Sequence, residues 1–201
     1  MRHGASGTVS LYTRAGARKY VNGTERLRFI AAAKTWPRPD IGALCLTVAY
    51  TGCRISEALA LTRSHVDAES GFIAVRSLKK RKGATVIREL PVPADLLNIL
   101  TSDIFADRTD RLWNLSRSRA WQLIKDVMRS AEIGPGIHAT PKGLRHGYGL
   151  HAVRSGVPLN LVQRWLGHAR LETTAIYLQA LGTEEREFAA RMWTTPAAIT
   201  P

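Results

Sequence analysis

Four short stretches of the chain carry residue types that could bind an anion and react with it. They are 51–57, 79–83, 141–146 and 166–177. Arg54 and Arg145 offer planar guanidinium groups, which stay charged at any cellular pH and match the oxygen atoms of a phosphate. Tyr177 carries a phenol, which becomes a nucleophile once another group helps it to lose its proton. His168 follows a glycine and precedes this tyrosine by nine positions. These residue types suit chemistry on a phosphate ester, where cations balance the charge that develops on the oxygens.

Each stretch also has an ordinary structural explanation when it is taken alone. Arg54 and Glu57 are three positions apart, a spacing typical of an ion pair on a helix surface. The basic run KKRKG at 79–83 is typical of a solvated turn. His168 could be a capping or core histidine, and Tyr177, between two aliphatic residues, could be a core tyrosine. No stretch is diagnostic by itself.

Composition favours a basic globular domain. The 201 residues include 29 Lys and Arg against 16 Asp and Glu, a formal charge of +13, and 45% of the residues are hydrophobic. This length and apolar content are enough for one full domain with a sizeable core. The excess of positive charge favours a polyanionic partner, most often nucleic acid, although a merely basic protein fits as well.

Several classes of protein are not indicated. The first ten residues lack the apolar run of a secretory signal, and the longest apolar stretch, 41–50, is about half of what a bilayer span needs. Cys45 and Cys53 are too few for a disulfide framework, and no Cys/His cluster has zinc-ligand spacing. We therefore expect a cytoplasmic protein with reduced cysteines, no metal site and no membrane contact.

Local patterns predict the elements that must position these residues. Residues 1–22, rich in Gly, Ser, Thr and Arg, are predicted to be a basic flexible arm, followed by one domain over 23–195 and a tail over 196–201. Thr24 and Asp40 are the predicted caps of the first two helices. Helices are predicted at 24–36, 41–50, 54–61, 93–100, 116–133, 141–154, 158–166, 171–180 and 183–193.

Two β-branched runs, GFIAVRS at 71–77 and ATVIREL at 84–90, predict an antiparallel hairpin with the KKRKG run at its tip. The predicted fold class is therefore mainly α (α+β): a helical domain with a small antiparallel β-hairpin or sheet.

The order of the four stretches resembles the catalytic domain of the tyrosine recombinases, the phage integrase family. The specific part of the resemblance is TGCRISEALAL at 51–61 and LRHGYGLHAVRSGVPLNLVQRWLGHARLETTAIYL at 144–178. The resemblance implies an enzyme that cuts and rejoins DNA through a 3′-phosphotyrosyl intermediate, without a metal or nucleotide cofactor. It further implies double-stranded DNA as the partner, assembly as a homotetramer on DNA, and a role in DNA integration or in the movement of mobile genetic elements.

The resemblance also implies roles for individual residues. Tyr177 is the matched nucleophile, Arg54 and Arg145 contact the scissile phosphate, and His168 assists them. Lys79 on the hairpin is the matched general acid, with Lys80 the near alternative and Lys82 a more distant one. Glu57 is expected to orient Arg54, and a purely structural role for it is equally open. His146 is expected to be a structural partner beside Arg145 in the same helix. Lys142 completes the catalytic set, and the expected DNA-binding residues are Lys80, Arg81, Lys82, Arg164 and Arg170.

Two departures from the family pattern stand out. Lys142 occupies a position where the family usually has histidine, and lysine accepts a proton less readily near neutral pH. His138 is a weaker candidate to compensate. Only about two dozen residues precede the first predicted helix, too few for the N-terminal DNA-clamping domain that these recombinases carry. A topoisomerase of the same tyrosine type and a non-catalytic DNA-binding remnant are the alternative functions.

Overall fold

The computed structural model describes residues 10–77, 86–108 and 110–178. The hairpin tip with Lys79, Lys80, Arg81 and Lys82 lies outside the described residues, and so does the helix predicted at 183–193. Within the described residues the architecture is mainly helical with a small antiparallel sheet, which confirms the predicted fold class. The α-helices are α1 (Gly23–Lys34), α2 (Pro39–Thr51), α3 (Ile55–Ala58), α4 (Ala94–Thr101), α5 (Arg117–Ser130), α6 (Pro141–Arg154), α7 (Leu159–Leu166) and α8 (Glu172–Ala175).

The first two helices begin differently from the prediction. Asn22, not Thr24, caps α1: its side chain accepts a hydrogen bond from the backbone of Glu25, whose carboxylate in turn accepts one from the backbone of Asn22. Helix α2 begins with Pro39 after Arg38, so Asp40 lies inside the first turn rather than at the cap. Helix α3 is a single turn, shorter than the predicted 54–61.

The sheet has three antiparallel strands in the order β1 (Val66–Asp67), β2 (Phe72–Arg76) and β3 (Ile87–Pro91). The predicted hairpin is β2 and β3, which pair with Val75 opposite Arg88. The two-residue strand β1 pairs with the start of β2 and is too short to produce a readable alternation. Side chains alternate along β3, so that Arg88 and Leu90 point inward.

The apolar interior falls into two clusters. The larger one centres on α2, which is buried almost all round, and extends to the sheet and to α4 and α5. The smaller one lies between α6 and α7 and contains Tyr148 and Tyr177. Leu11 also belongs to this smaller cluster, and the Val21 N–H donates to the Gly143 carbonyl at 3.0 Å. Within the predicted arm, Leu11 and Val21 are therefore buried against the helices, whereas residues 14–17 are exposed.

Among the described residues, the helices are too short or too polar to cross a lipid bilayer. Cys45 and Cys53 are both free and buried, as expected for cysteines outside a disulfide framework.

Trp113 allows a test of the larger cluster. Its ring is 2% exposed and packs edge-on against Phe105, and its indole N–H donates to the Asp40 carbonyl at 2.6 Å. Trp113→Ala should lower the free energy of unfolding by about 3–5 kcal/mol, because it leaves a large cavity. Trp121→Ala is the matched control: this ring is 42% exposed, so its loss should cost far less. Equal losses in urea unfolding would contradict this description of the core.

Candidate active site

Arg145 forms the buried base of the site. Its guanidinium donates to the Gly52 carbonyl at 2.7 Å and to the Leu166 carbonyl at 2.5 Å. These carbonyls lie at the C-terminal ends of α2 and α7, where Gly52 and Gly167 adopt left-handed conformations with φ of 60° and 64°. Carbonyl groups at helix C-termini carry partial negative charge and stabilise a cation. Burial lowers the pKa of Arg145 to about 10, so the side chain stays charged at neutral pH.

Arg54 lies beside it and is held by Glu57. The Arg54 guanidinium donates to Glu57 Oε1 at 2.8 Å, and the Arg54 backbone N–H donates to Glu57 Oε2 at 2.9 Å. The predicted contact between these two residues at the start of a helix is therefore present. Glu57 is buried, whereas the side chain of Arg54 is 36% exposed.

Both arginines line one cavity of about 630 Å³. Lys142, one turn before Arg145 on α6, lines it as well, together with His146 and His168. The structure thus brings together five of the residues singled out from the sequence. The remaining lining residues are Cys53, Ile55, Ser56, Arg117, Trp121, Ile137, Thr140, Pro141 and Thr173.

His168 is oriented by the turn that follows α7. Its Nδ1 is 3.0 Å from the Thr174 hydroxyl, and its ring stacks on that of Tyr177 with a centroid separation of 6.3 Å. Burial lowers the pKa of His168 to about 3, and the charges of Arg145 and Arg54 act in the same direction. The imidazole is therefore neutral at physiological pH and carries one N–H for donation.

Tyr177 is fully buried beneath the cavity. Its hydroxyl is 3.2 Å from His146 Nδ1, and either atom is able to donate this hydrogen bond. Gly149 on α6 makes room for the ring, because a Cβ there would lie 2.4 Å from Tyr177 Cζ. Burial raises the pKa of Tyr177 to about 12, and the charge of Arg145 partly opposes this effect. His146, expected to be a structural partner beside Arg145 in the same helix, contacts the phenol through this hydrogen bond.

Other predicted residues lie away from this cavity or outside the described chain. Arg164 and Arg170 are exposed near the end of α7 and in the turn after it. His138 contacts the ion pair of Arg18 and Glu25 at the start of α1, so it is engaged elsewhere than expected. The four basic residues of the hairpin tip remain predictions.

Sequence reasoning missed several residues that shape the site. Arg117 and Trp121 on α5 line the cavity, and Gly149 accommodates the tyrosine ring. The glycine had a usable signal, since a glycine in the middle of a helix often marks a close approach. Nothing local indicates that α5 faces the same space as α6. In the described part of the chain, no group of three or more His, Cys, Asp or Glu residues could hold a metal ion.

Comparison with known proteins places this geometry in a family. The profile described as "Phage integrase family" matches residues 19–184, which is most of the chain. The chain belongs to the phage integrase family.

Relatives within this family are tyrosine recombinases. The chain is 32% identical over 148 residues to the tyrosine recombinase XerA of Pyrococcus furiosus, covering 70% of this chain and 50% of XerA. It is 33% identical over 138 residues to XerD of Neisseria meningitidis, covering 63% and 46% of the two chains. The chain thus spans about half the length of these curated relatives.

Solved structures of the family share the fold. A crystal structure of XerA recombinase superposes with a TM-score of 0.69 and 27% identity over 88% of this chain and 66% of that one. The catalytic domain of the bacteriophage HP1 integrase gives a TM-score of 0.63 at 23% identity, covering 83% and 93%. The pre-cleavage complex of XerH with its difH substrate gives 0.71 at 21% identity, covering 92% and 56%.

The two histidines of the site predict how stability depends on pH. Burial lowers the pKa of His146 to about 4 and that of His168 to about 3, so the unfolded chain takes up protons first as the pH falls. The contribution of these histidines to the free energy of unfolding should therefore be complete above about pH 6.5. Below that pH the free energy of unfolding should decrease, by up to about 1.4 kcal/mol per pH unit for each histidine. Urea unfolding at a series of pH values between about 7 and about 5 measures this slope.

The double variant His146→Gln/His168→Gln is the control for this assignment. Its slope should be clearly smaller, with a remainder from His138 and His151, whose pKa values are lowered by burial as well. An unchanged slope in the double variant would show that these two imidazoles are not buried in the neutral form.

Proposed function

We propose that this chain is the catalytic part of a site-specific DNA recombinase, which cuts and rejoins DNA through a 3′-phosphotyrosyl link. The observation that carries the proposal is one cavity lined by four cationic or hydrogen-bonding side chains: Arg54, Arg145, Lys142 and His168. His146 lines the same cavity, and its Nδ1 is within hydrogen-bond distance of the Tyr177 hydroxyl. Membership of the family and the names of its relatives support the same reaction.

The cavity residues suit binding of a scissile phosphate. The two carbonyls use two of the five N–H groups of Arg145, and the remaining ones are available to phosphate oxygens. Arg54 offers a second guanidinium, so charge that develops on the non-bridging oxygens is balanced from two sides. Lys142 and neutral His168 add donors at the rim. These groups supply the positive charge from the chain itself, which fits a reaction without a metal or nucleotide cofactor.

Tyr177 is the proposed nucleophile, and its burial sets a condition on the reaction. Its oxygen attacks phosphorus, forms a phosphotyrosine with the 3′ end of the cut strand, and releases the 5′ oxygen. Because the ring is 0% exposed, the segment that carries it must turn the hydroxyl toward the cavity when DNA occupies the site. That segment is short: α8 is four residues long and Tyr177 follows it by two positions.

The departing 5′ oxygen needs a proton, which the proposal assigns to Lys79. Strand β2 ends at Arg76, and the backbone pairing continues to Ser77, whose N–H donates to the Val86 carbonyl at 2.8 Å. The lysines of the tip follow directly, and Lys80 and Lys82 remain the alternatives. The covalent link conserves the energy of the broken ester, so rejoining proceeds by the reverse attack without ATP.

Double-stranded DNA is the proposed partner, and assembly as a tetramer on DNA and action in the cytoplasm belong to the same proposal. The net charge of +13 and the exposed Arg164 and Arg170, near the end of α7 and in the turn after it, favour contacts with the DNA backbone. Integration or mobility of a genetic element fits the relatives named integrases.

Of the alternatives raised by the sequence, the topoisomerase and the non-catalytic remnant are not favoured, because the relatives are named recombinases.

Tyr177→Phe tests the nucleophile directly. The variant should form no covalent adduct with a library of nicked duplexes of random sequence, because the attacking oxygen is missing, while its affinity for DNA stays within about two-fold, since cationic contacts dominate binding. Adducts are counted on a denaturing gel, and DNA affinity is measured by fluorescence anisotropy.

Tyr148→Phe is the matched control. Tyr148 is also buried in the smaller cluster, and burial raises its pKa to about 12, so the two phenols differ in position rather than in environment. Adduct formation should survive this change. Adducts that persist in Tyr177→Phe and vanish in Tyr148→Phe would assign the reaction to the other phenol.

A further inference from the structure

Arg88 occupies a strand position at which an apolar side chain would be expected. Along β3 it points inward beside Leu90, and its side chain is only 2% exposed. Withdrawing a guanidinium from water is costly, whereas an aliphatic side chain would fill the same space without that cost. The contacts that Arg88 makes therefore call for an explanation.

The first contact leads to Arg54. Arg88 Nη2 donates to Glu57 Oε2 at 2.8 Å, and the other oxygen of the same carboxylate accepts from Arg54 at 2.8 Å. Burial by itself would raise the pKa of Glu57, but the charges of Arg88 and Arg54 and the hydrogen bond from the Arg54 backbone keep it below its ordinary value. Glu57 thus remains an anion held between the two guanidinium groups.

The second contact leads to His168. Arg88 Nη1 donates to the Trp165 carbonyl in the last turn of α7 at 3.0 Å. A Cβ at Gly167 would lie 2.3 Å from this nitrogen, so the guanidinium packs directly against the glycine. His168 is the next residue, and Arg88 therefore supports the turn that carries it.

The third connection is the strand itself. Arg88 is paired with Val75 in the hairpin, four residues before the position of Lys79 in the sequence. The elements that carry Arg54 and His168, and the hairpin whose tip carries Lys79, therefore meet at one guanidinium.

A purely stabilising role explains this arrangement poorly. Buried ion pairs are weak contributors to stability, and replacement by well-packed apolar residues is often neutral or favourable. A planar fork with two separate acceptors, by contrast, fixes directions as well as distances.

We propose that Arg88 is a positioning residue for DNA cleavage, which fixes Arg54 through Glu57 and fixes the Gly167–His168 turn through the Trp165 carbonyl. The proposal rests on the proposed function, since cleavage is the step that needs these groups in register. Arg88 does not touch the phosphate; it acts through the residues that do.

Arg88→Lys separates position from charge, because it keeps the buried cation but loses the planar fork. The saturating rate of adduct formation on the nicked-duplex library should fall by about 10- to 100-fold, as for other residues that orient a reacting group. DNA affinity should stay within about two-fold, since phosphate contacts at the surface are unchanged. Arg18→Lys is the matched control: Arg18 makes a forked ion pair with Glu25 at 2.5 Å, away from the cavity, so its rate should match the wild type.

Hydrogen exchange gives a second readout that does not depend on activity. In Arg88→Lys the backbone amides of 54–57 and 165–168 should exchange faster together, whereas Arg18→Lys should leave both segments unchanged. Wild-type cleavage by Arg88→Lys, or unaltered exchange in both segments, would overturn the proposal. A wild-type chain that forms no adduct would refute the proposed function instead, and the exchange result would then decide the role of Arg88.

A double variant covers the case in which Arg88→Lys does not fold. Arg88→Met/Glu57→Gln removes both charges of the pair, so no unpaired charge stays buried. This variant should fold, but its cleavage should be slower than that of the wild type. The reason is that no guanidinium at position 88 then fixes Arg54 and the turn that carries His168. Cleavage at the wild-type rate in this variant would overturn the proposal.

Discussion

One positive charge, held away from water by two helix ends, underlies the whole site. The carbonyls of Gly52 and Leu166 accept hydrogen bonds from the buried guanidinium of Arg145, and they point at it because glycine ends α2 and α7 in left-handed conformations. The partial charges of helix ends offset some of the cost of burial but leave a net positive site. An anion that enters the cavity therefore meets a field that solvent screens poorly.

The same burial acts in opposite directions on the two halves of the proposed reaction. It strengthens the attraction of Arg145 for a phosphate, and it keeps the Tyr177 phenol protonated, with its pKa raised to about 12. Under this proposal, a chain without DNA holds an anion site and, beside it, a nucleophile that is still protonated. In the proposed reaction, occupation of the cavity by phosphate and exposure of the phenol must occur together, which would limit attack on other phosphate esters.

How much of this the sequence could predict depends on the range of the interactions involved. The Arg54–Glu57 contact, the β2–β3 hairpin and most helices follow from local spacing, and the structure shows them. Local pattern does not locate the cap at Asn22 because Thr24, two positions later, is also a favoured capping residue type, and it does not locate β1 because two residues carry no periodicity. The burial of Tyr177 depends on Gly149 from another helix: the glycine indicates a close approach, but no local pattern identifies the tyrosine as the group that approaches it. Arg88 did carry a signal, a charge at the inward phase of a strand, but its partners are 31 and 77 positions away.

The most direct measurement is a crystal structure of the chain soaked with tungstate, an anion with the shape and charge of phosphate. One tungstate should lie in the cavity, with oxygen atoms about 3 Å from guanidinium nitrogens of both Arg54 and Arg145. An anion bound to Arg54 alone at the rim, or an empty cavity beside occupied surface sites, would contradict the convergence of the two arginines on a single phosphate.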